Sequence, residues 1–395
     1  MKPLAGVIAA VLLSAPLSSA AHAQTPAVPP AIPTAAAIDG EVQRLMTATG
    51  ARGLALAVID DGRPTFVQAW GDRNAAGDPL RADTVMYGAS LTKAVFAWTV
   101  MQLVDEGRID LDRPIAEYLP KPLPDYYDAA IEDRYADYRA LADDPRWRSI
   151  TPRILLTHSA GFANFGFLEP DGKLRIHFDP GSRYAYSGDG LILLQFVLEH
   201  GLGLDIGVEM QRRVFDRFGM TMTGMMWRPD FAANLADGWE ADGSVEPHDE
   251  RSKPRAAGSM DTTIADFARF AAGYIRREGL TSASAAELVR PQLPIATATQ
   301  FPSFQNALPQ ADRRPDLSAG LGVVTFTGPQ GPGVFKGGHN DSTANTWVCV
   351  ETARRCVVIL SNDVRSEAAF STLVRFILGE TGVPYDWEYG PLPAL

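Results

Sequence analysis

From Leu91 to Val104 the chain reads Leu-Thr-Lys-Ala-Val-Phe-Ala-Trp-Thr-Val-Met-Gln-Leu-Val, apolar on nearly every side, with Lys93 as its only charge. A helix of this composition has no face to give to water, so other elements must enclose it. The chain has the material for that: 395 residues, 46% of them hydrophobic. That length is large for one core and predicts one composite unit or two closely packed domains. A lysine inside such a helix is expensive when charged, and burial drives it toward the neutral amine. A neutral amine is a base. Three residues earlier, at the expected helix start, stands Ser90, where unpaired backbone N–H groups favour developing negative charge. Lysine is scarce here, six of 36 basic residues, which gives Lys93 and Lys336 more weight than usual.

Other chemistries lose ground on composition and pattern. With 47 acidic residues the net charge is -11, which disfavours a nucleic-acid partner. No G-x-S-x-G elbow, phosphate loop or H-E-x-x-H helix occurs, and His158, His177, His200, His248 and His339 are scattered. Nothing calls for a metal or a cofactor.

Residues 1–23 read as a signal peptide: Lys2, an apolar run from Leu4 to Leu13 too short to span a bilayer, then Ala21-His22-Ala23 as a small-x-small cleavage site. The expected location is periplasmic or secreted, with no stable membrane span after leader removal. Residues 24–37, rich in Pro and Ala, read as a flexible lead-in. One folded unit over 38–395 follows, with an α/β lobe at about 38–90 and 270–395 and a helical lobe at about 91–269.

Within it, Ile38, Val42, Leu45 and Met46 recur at helical spacing, and Leu54–Ile59 with Pro64–Trp70 make a hairpin about Asp60-Asp61-Gly62. Helical signals at 151–161, 190–200, 208–218 and 263–276 fill the middle. Strands return at Gly322–Thr327 and on both sides of the 350–355 turn, and Glu367–Leu378 makes a last helix. The fold class this order predicts is α/β: an antiparallel sheet built from both chain ends and flanked by helices, with a mostly helical domain inserted. The only cysteines, Cys349 and Cys356, would face each other across a hairpin, as a disulfide or as two packed thiols. The stretch Pro122–Arg148, with Tyr126, Tyr127, Tyr135, Tyr138 and Trp147 among acids, reads either as a charged surface excursion or as a substrate rim.

Tyr87-Gly88-Ala89-Ser90-Leu91-Thr92-Lys93 resembles the first active-site motif of the serine β-lactamase and penicillin-binding protein superfamily. The similarity is to its class C β-lactamase, D-alanyl-D-alanine carboxypeptidase and family VIII esterase branch. It continues in order through Leu103–Asp112, Leu155–Gly161 and Pro180–Gly188, then Val214–Met220, Ala257–Thr263, Gly320-Leu321-Gly322 and Lys336-Gly337-Gly338. The resemblance implies a β-lactamase/transpeptidase-like fold with Ser90 as acylated nucleophile, Lys93 as its base and Tyr186 as the phenol that protonates the leaving group. It implies that Lys336 supplies positive potential, and that the backbone N–H groups of Ser90 and His339, beside Gly338, form an oxyanion hole.

Two positions depart from the pattern. Gly188 stands where the second motif has Asn, and Gly337 where the third has a hydroxyl residue. Both remove polar contacts expected for β-lactams and D-Ala-D-Ala peptides. The implied activity is therefore an exported serine hydrolase acting on a small-molecule ester or amide, with esterase chemistry preferred. A D-alanyl-D-alanine carboxypeptidase or weak β-lactamase, and a catalytically idle penicillin-binding-like protein, remain alternatives.

Overall fold

The computed structural model describes residues 27–127, 134–391 and 395; the expected leader and residues 128–133 of the Tyr-rich stretch lie outside them. Eight strands form the principal sheet: β1 (Gly53–Asp60), β2 (Arg63–Gly71), β3 (Leu293–Pro294), β4 (Leu317–Ala319), β5 (Val324–Gly328), β6 (Gly331–His339), β7 (Ala344–Val350) and β8 (Arg355–Ser361). Their order is β2-β1-β8-β7-β6-β5-β4-β3, and every neighbouring pair is antiparallel. The fold is thus α/β with an antiparallel sheet drawn from both chain ends. The seam between the two ends of the chain joins β1 to β8, with Ala55 opposite Leu360 and Ile59 opposite Cys356.

Both faces of the sheet are covered, so the central strands are apolar almost throughout rather than alternating. One face carries Ala55, Ala57, Val334, Trp347 and Val358 into a core shared with the helical region. The other carries Leu56, Val58, Phe335, Val348 and Ile359 against α1 (Ala35–Thr49) and the C-terminal helices. Cys349 and Cys356 lie directly opposite each other on β7 and β8 and are joined as a disulfide, fully buried on the first face.

The helices in chain order are α1, α2 (Leu91–Asp105), α3 (Pro152–Leu156), α4 (Gly188–Leu202), α5 (Ile206–Met210), α6 (Ile264–Ile275), α7 (Ser282–Val289), α8 (Phe370–Leu378) and α9 (Tyr385–Tyr389). As its composition requires, α2 is buried from Leu91 to Leu103. Side-chain caps set the starts of three other helices: Thr34 accepts from the Ala37 N–H, Ser187 from Gly190 and Thr263 from Asp266. Two helical expectations resolve differently. The 208–218 segment divides into α5 and a π turn over Gln211–Phe215, and 367–378 begins as a 3-10 turn at Val364 before α8.

Residues 27–34 run along the sheet before α1, with the Ala27 N–H bonded to the Pro329 carbonyl and Arg355 bonded to the Pro30 carbonyl. Three of the tyrosines of the 122–148 stretch pack against the helical region, whereas Tyr127 is exposed. Tyr126, Tyr135 and Tyr138 each set an edge against Phe196 of α4, with centroids 5.0, 5.1 and 5.0 Å away. Among the described residues no single helix is long and apolar enough to cross a membrane.

Candidate active site

Ser90 occupies the N-cap position of α2, yet its hydroxyl makes no cap bond to the helix. Ala89 before it takes φ +45°, a left-handed value uncommon for a residue with a Cβ. The tight turn aims Ser90 Oγ into a cleft instead of along the helix axis. There Oγ accepts from Lys93 Nζ at 2.9 Å and from the Tyr186 phenol at 2.8 Å. Lys93, 1% exposed, also donates to the Ala257 carbonyl at 2.5 Å. No carboxylate lies within ion-pair distance of it among the described residues.

The two groups on Ser90 are driven apart in acidity. Burial holds the Lys93 ammonium well below the usual lysine range, and the positive charge of Lys336 lowers it further, against a smaller upward pull from Glu388. Burial also pushes the Tyr186 phenol up, opposed by its hydrogen bond to Ser90. The amine therefore tends to the unprotonated form and the phenol to the protonated one. Such a divergent pair separates a base from an acid.

Tyr186 is held from behind. His158 stacks on its ring with centroids 4.5 Å apart, and His158 Nδ1 accepts the Ser187 N–H at 3.1 Å. Burial, then Lys93 and Lys336, hold the imidazole well below its ordinary range, so it stacks as a neutral ring.

Lys336 lies in β6, 4% exposed, with Nζ 5.2 Å from the centroid of the Tyr186 ring. Its ammonium donates to the Gly337 carbonyl at 2.6 Å. Gly338 is pressed onto Ser90: a Cβ built there would stand 2.8 Å from the Ser90 amide nitrogen. His339 follows at the cleft wall, its Nδ1 2.9 Å from Glu367, a contact that raises the imidazole above its usual range.

Five of the seven residues picked from sequence thus line one cavity of about 1320 Å³, Ser90, Lys93, Tyr186, Gly338 and His339, and Lys336 lies just behind the wall formed by Gly337. Gly188 does not reach it. Its N–H is taken by Asn164, and a Cβ there would meet the Phe165 ring at 2.5 Å. Phe165 fills the place of the absent Asn side chain and stacks with Phe167, centroids 5.2 Å apart and planes within 8°. Phe301 closes the opposite side, 5.3 Å from Tyr186. Among the described residues of the Tyr-rich stretch, 134–137 line the cavity.

Sequence reasoning did not find Phe165, Phe167, Phe301 or Glu388. The sole hint was compositional: two glycines where side chains were expected imply that something else takes the vacated space.

Residues 38–379 match the family model described as Beta-lactamase. The chain belongs to the beta-lactamase family. Within that family it is 29% identical to a lovastatin esterase of Penicillium rubens over 218 residues, 48% of this chain and 53% of the relative. It is 27% identical to a monacolin J acid methylbutanoyltransferase of Aspergillus terreus over 208 residues, 45% of this chain and 48% of the relative. The chain thus spans about half the length of these curated relatives. Among solved structures it superposes on a penicillin-binding protein homologue of Pyrococcus abyssi with TM-score 0.66 at 18% identity, covering 86% of this chain and 76% of that one. A D-alanine carboxypeptidase of Burkholderia cenocepacia gives 0.65 at 18%, covering 88% and 99%. At these identities the structural likeness speaks for the beta-lactamase fold alone.

Proposed function

We propose that this beta-lactamase family chain is an exported serine hydrolase that cleaves small esters through an acyl-enzyme on Ser90. The observation that carries the reading is the convergence of Lys93 Nζ and Tyr186 OH on Ser90 Oγ, with acidities driven in opposite directions. An idle binding protein has no use for a buried lysine held near neutrality beside a serine hydroxyl.

In the proposed reaction neutral Lys93 takes the Ser90 proton as Oγ attacks the ester carbonyl carbon. The Ser90 and His339 N–H groups receive the oxyanion that forms. When the tetrahedral intermediate collapses, the C–O bond to the alcohol breaks and the Tyr186 phenol protonates the departing oxygen. The proton held on Lys93 then restores the phenol. Water attacks the acyl-enzyme by the same path in reverse, releasing the acid and free Ser90.

An ester with an apolar acyl group is favoured over a β-lactam by what occupies the cleft. Phe165 stands in the Asn position of the second motif, and Phe167 and Phe301 add 73% and 38% exposed aromatic surface at the mouth. Lovastatin esterase and the methylbutanoyltransferase, by their names, handle acyl groups on alcohols, which supports the same reading. Export rests on the leader-like 1–23 segment.

Intact-mass analysis after treatment with a fluorophosphonate tests the chemistry. One adduct on the wild type, absent from Ser90→Ala, is expected. An adduct that survives Ser90→Ala removes Ser90 as nucleophile, and no adduct on the wild type removes the hydrolase reading. Hydrolysis of p-nitrophenyl butyrate compared with nitrocefin then ranks ester over β-lactam.

A further inference from the structure

The third-motif lysine has a carboxyl group close to it in the fold. Glu388, from the five-residue helix α9 close to the C-terminus, reaches the cavity wall at Gly337. A Cβ built on Gly337 would lie 2.5 Å from Glu388 Oε1 and 2.7 Å from the Tyr389 hydroxyl. A hydroxyl residue at 337 and a glutamate at 388 thus compete for one space. Glycine at 337 is what admits the carboxylate, so the departure from the motif is half of a two-residue exchange.

The electrostatics follow from the placement. Lys336 is buried and Glu388 half-buried beside Tyr186, and each acts on the other: the Glu388 charge supports the Lys336 ammonium, while desolvation works against both charged forms. His339 and Glu367 also act on Glu388 from β6 and from the turn before α8. In a water-poor pocket an unpaired ammonium attracts an anion strongly, whereas an ammonium already facing a carboxylate does not.

We propose that Glu388 is a specificity-determining residue that occupies, as a resident carboxylate, the place a substrate carboxylate would take beside Lys336, and so selects neutral leaving groups over carboxylate-bearing ones. The leaving-group side is assigned because Lys336 adjoins Tyr186, the phenol proposed to protonate the departing oxygen. The selection rests on the serine-hydrolase reading above. It adds the substrate class: esters of uncharged alcohols or phenols, with acids on the leaving group excluded.

Two nearly isosteric esters separate the outcomes, 3-carboxyphenyl acetate and 3-carbamoylphenyl acetate. The wild type is expected to prefer the carbamoyl ester in kcat/KM by tenfold or more. Glu388→Gln, which keeps the shape and removes the charge, is expected to shift that ratio toward the carboxylate by at least tenfold. A ratio that moves less than twofold in Glu388→Gln, while the fluorophosphonate still labels Ser90, overturns this inference and leaves the hydrolase reading standing. No labelling of wild-type Ser90 overturns both.

A measurement on the wild type alone guards against a variant that fails to fold. 3-Hydroxybenzoate and 3-hydroxybenzamide, the phenols that the two esters release, bind on the leaving-group side with no covalent step and compete with an uncharged ester. Inhibition at least tenfold stronger by the carbamoyl compound is expected. Equal or stronger inhibition by the carboxylate overturns the inference.

Discussion

Gly338 lies so near Ser90 that a methyl group on its Cα would stand 2.8 Å from the Ser90 amide nitrogen and 3.0 Å from that of Leu91. Strand β6 is thereby laid across the start of α2, and the two N–H groups proposed to receive the oxyanion are brought to one place. Gly338→Ala is expected to push the strand away and lower kcat/KM roughly 100-fold, the scale of losing an oxyanion donor. The check is stopped-flow acylation alongside thermal melting. Full activity in a folded variant would show that the close approach is not needed.

Lys93 predicts opposite pH shifts from two neighbours. Its ordinary value of 10.5 is lowered by burial and by Lys336 and raised by Glu388. If neutral Lys93 is the base, kcat/KM climbs as pH rises through its pKa. Lys336→Met removes a repelling charge, so the acidic limb moves to higher pH. Glu388→Gln removes an attracting charge, so the limb moves to lower pH. Both limbs moving in the same direction, or neither, would contradict Lys93 as the titrating base.

The same depression lowers stability at neutral pH. In the unfolded chain Lys93 is protonated below about pH 10.4, whereas burial disfavours that proton in the folded state. Stability therefore rises with pH between the depressed folded value and the unfolded one, because the unfolded chain binds the extra proton. Lys93→Met removes this penalty while abolishing turnover. At pH 7 its melting temperature is expected to exceed that of the wild type, by roughly 1–2 °C per kcal/mol recovered. A lower melting temperature, measured by calorimetry, would mean that the lysine contributes to the fold.

Gly188 and Phe165 predict non-additivity. Asn at 188 alone would collide with the Phe165 ring, at 2.5 Å even for its Cβ. Gly188→Asn is therefore expected to lose about 1–3 kcal/mol from overpacking. Phe165→Ala in the same chain should recover most of it. The double variant is also expected to lower the preference for butyrate over acetate esters and to raise the rate of nitrocefin acylation. Denaturation of all four members of the cycle gives the coupling, and simple additivity would mean that the two side chains do not share space.

Reduction of the Cys349–Cys356 bond, which closes a sequence separation of seven, is expected to destabilise the fold by about 2.5 kcal/mol on the chain-entropy relation. The ester rate should persist, because the pair lies in the β7–β8 hairpin rather than along the cavity. Urea unfolding with and without reductant, with intact mass to confirm the two added hydrogens, provides the measurement.

What could be read from sequence divides along physical lines. Ser90 and Lys93 were legible because a three-residue spacing at a helix start is local, and an all-apolar helix makes one charge conspicuous. Tyr186 and Lys336 needed motif resemblance, since only the sheet and α4 bring them near Ser90. The tyrosines at 126, 135 and 138 were ambiguous: a ring among acids looks the same on a rim as under one, and the choice depends on Phe196, some sixty residues away. Phe165 and Glu388 were out of reach. Their meaning is set by the space above Gly188 and Gly337, which no periodicity records.

The seam between β1 and β8 has a consequence for how this molecule comes into being. Ser361 donates its hydroxyl to the Gly53 carbonyl across 308 positions of chain, and the N-terminal hairpin has no other strand beside it on that side. During synthesis the first hairpin must wait, unpaired, until the last strands emerge, and such distant pairing makes for slow folding. Ser90 is made early but gains Lys336 and Glu388 only near the end. If Ser90 is the nucleophile, the nascent chain carries it before its proposed surroundings exist, and reactivity waits on strand β6 and helix α9 rather than on the serine itself.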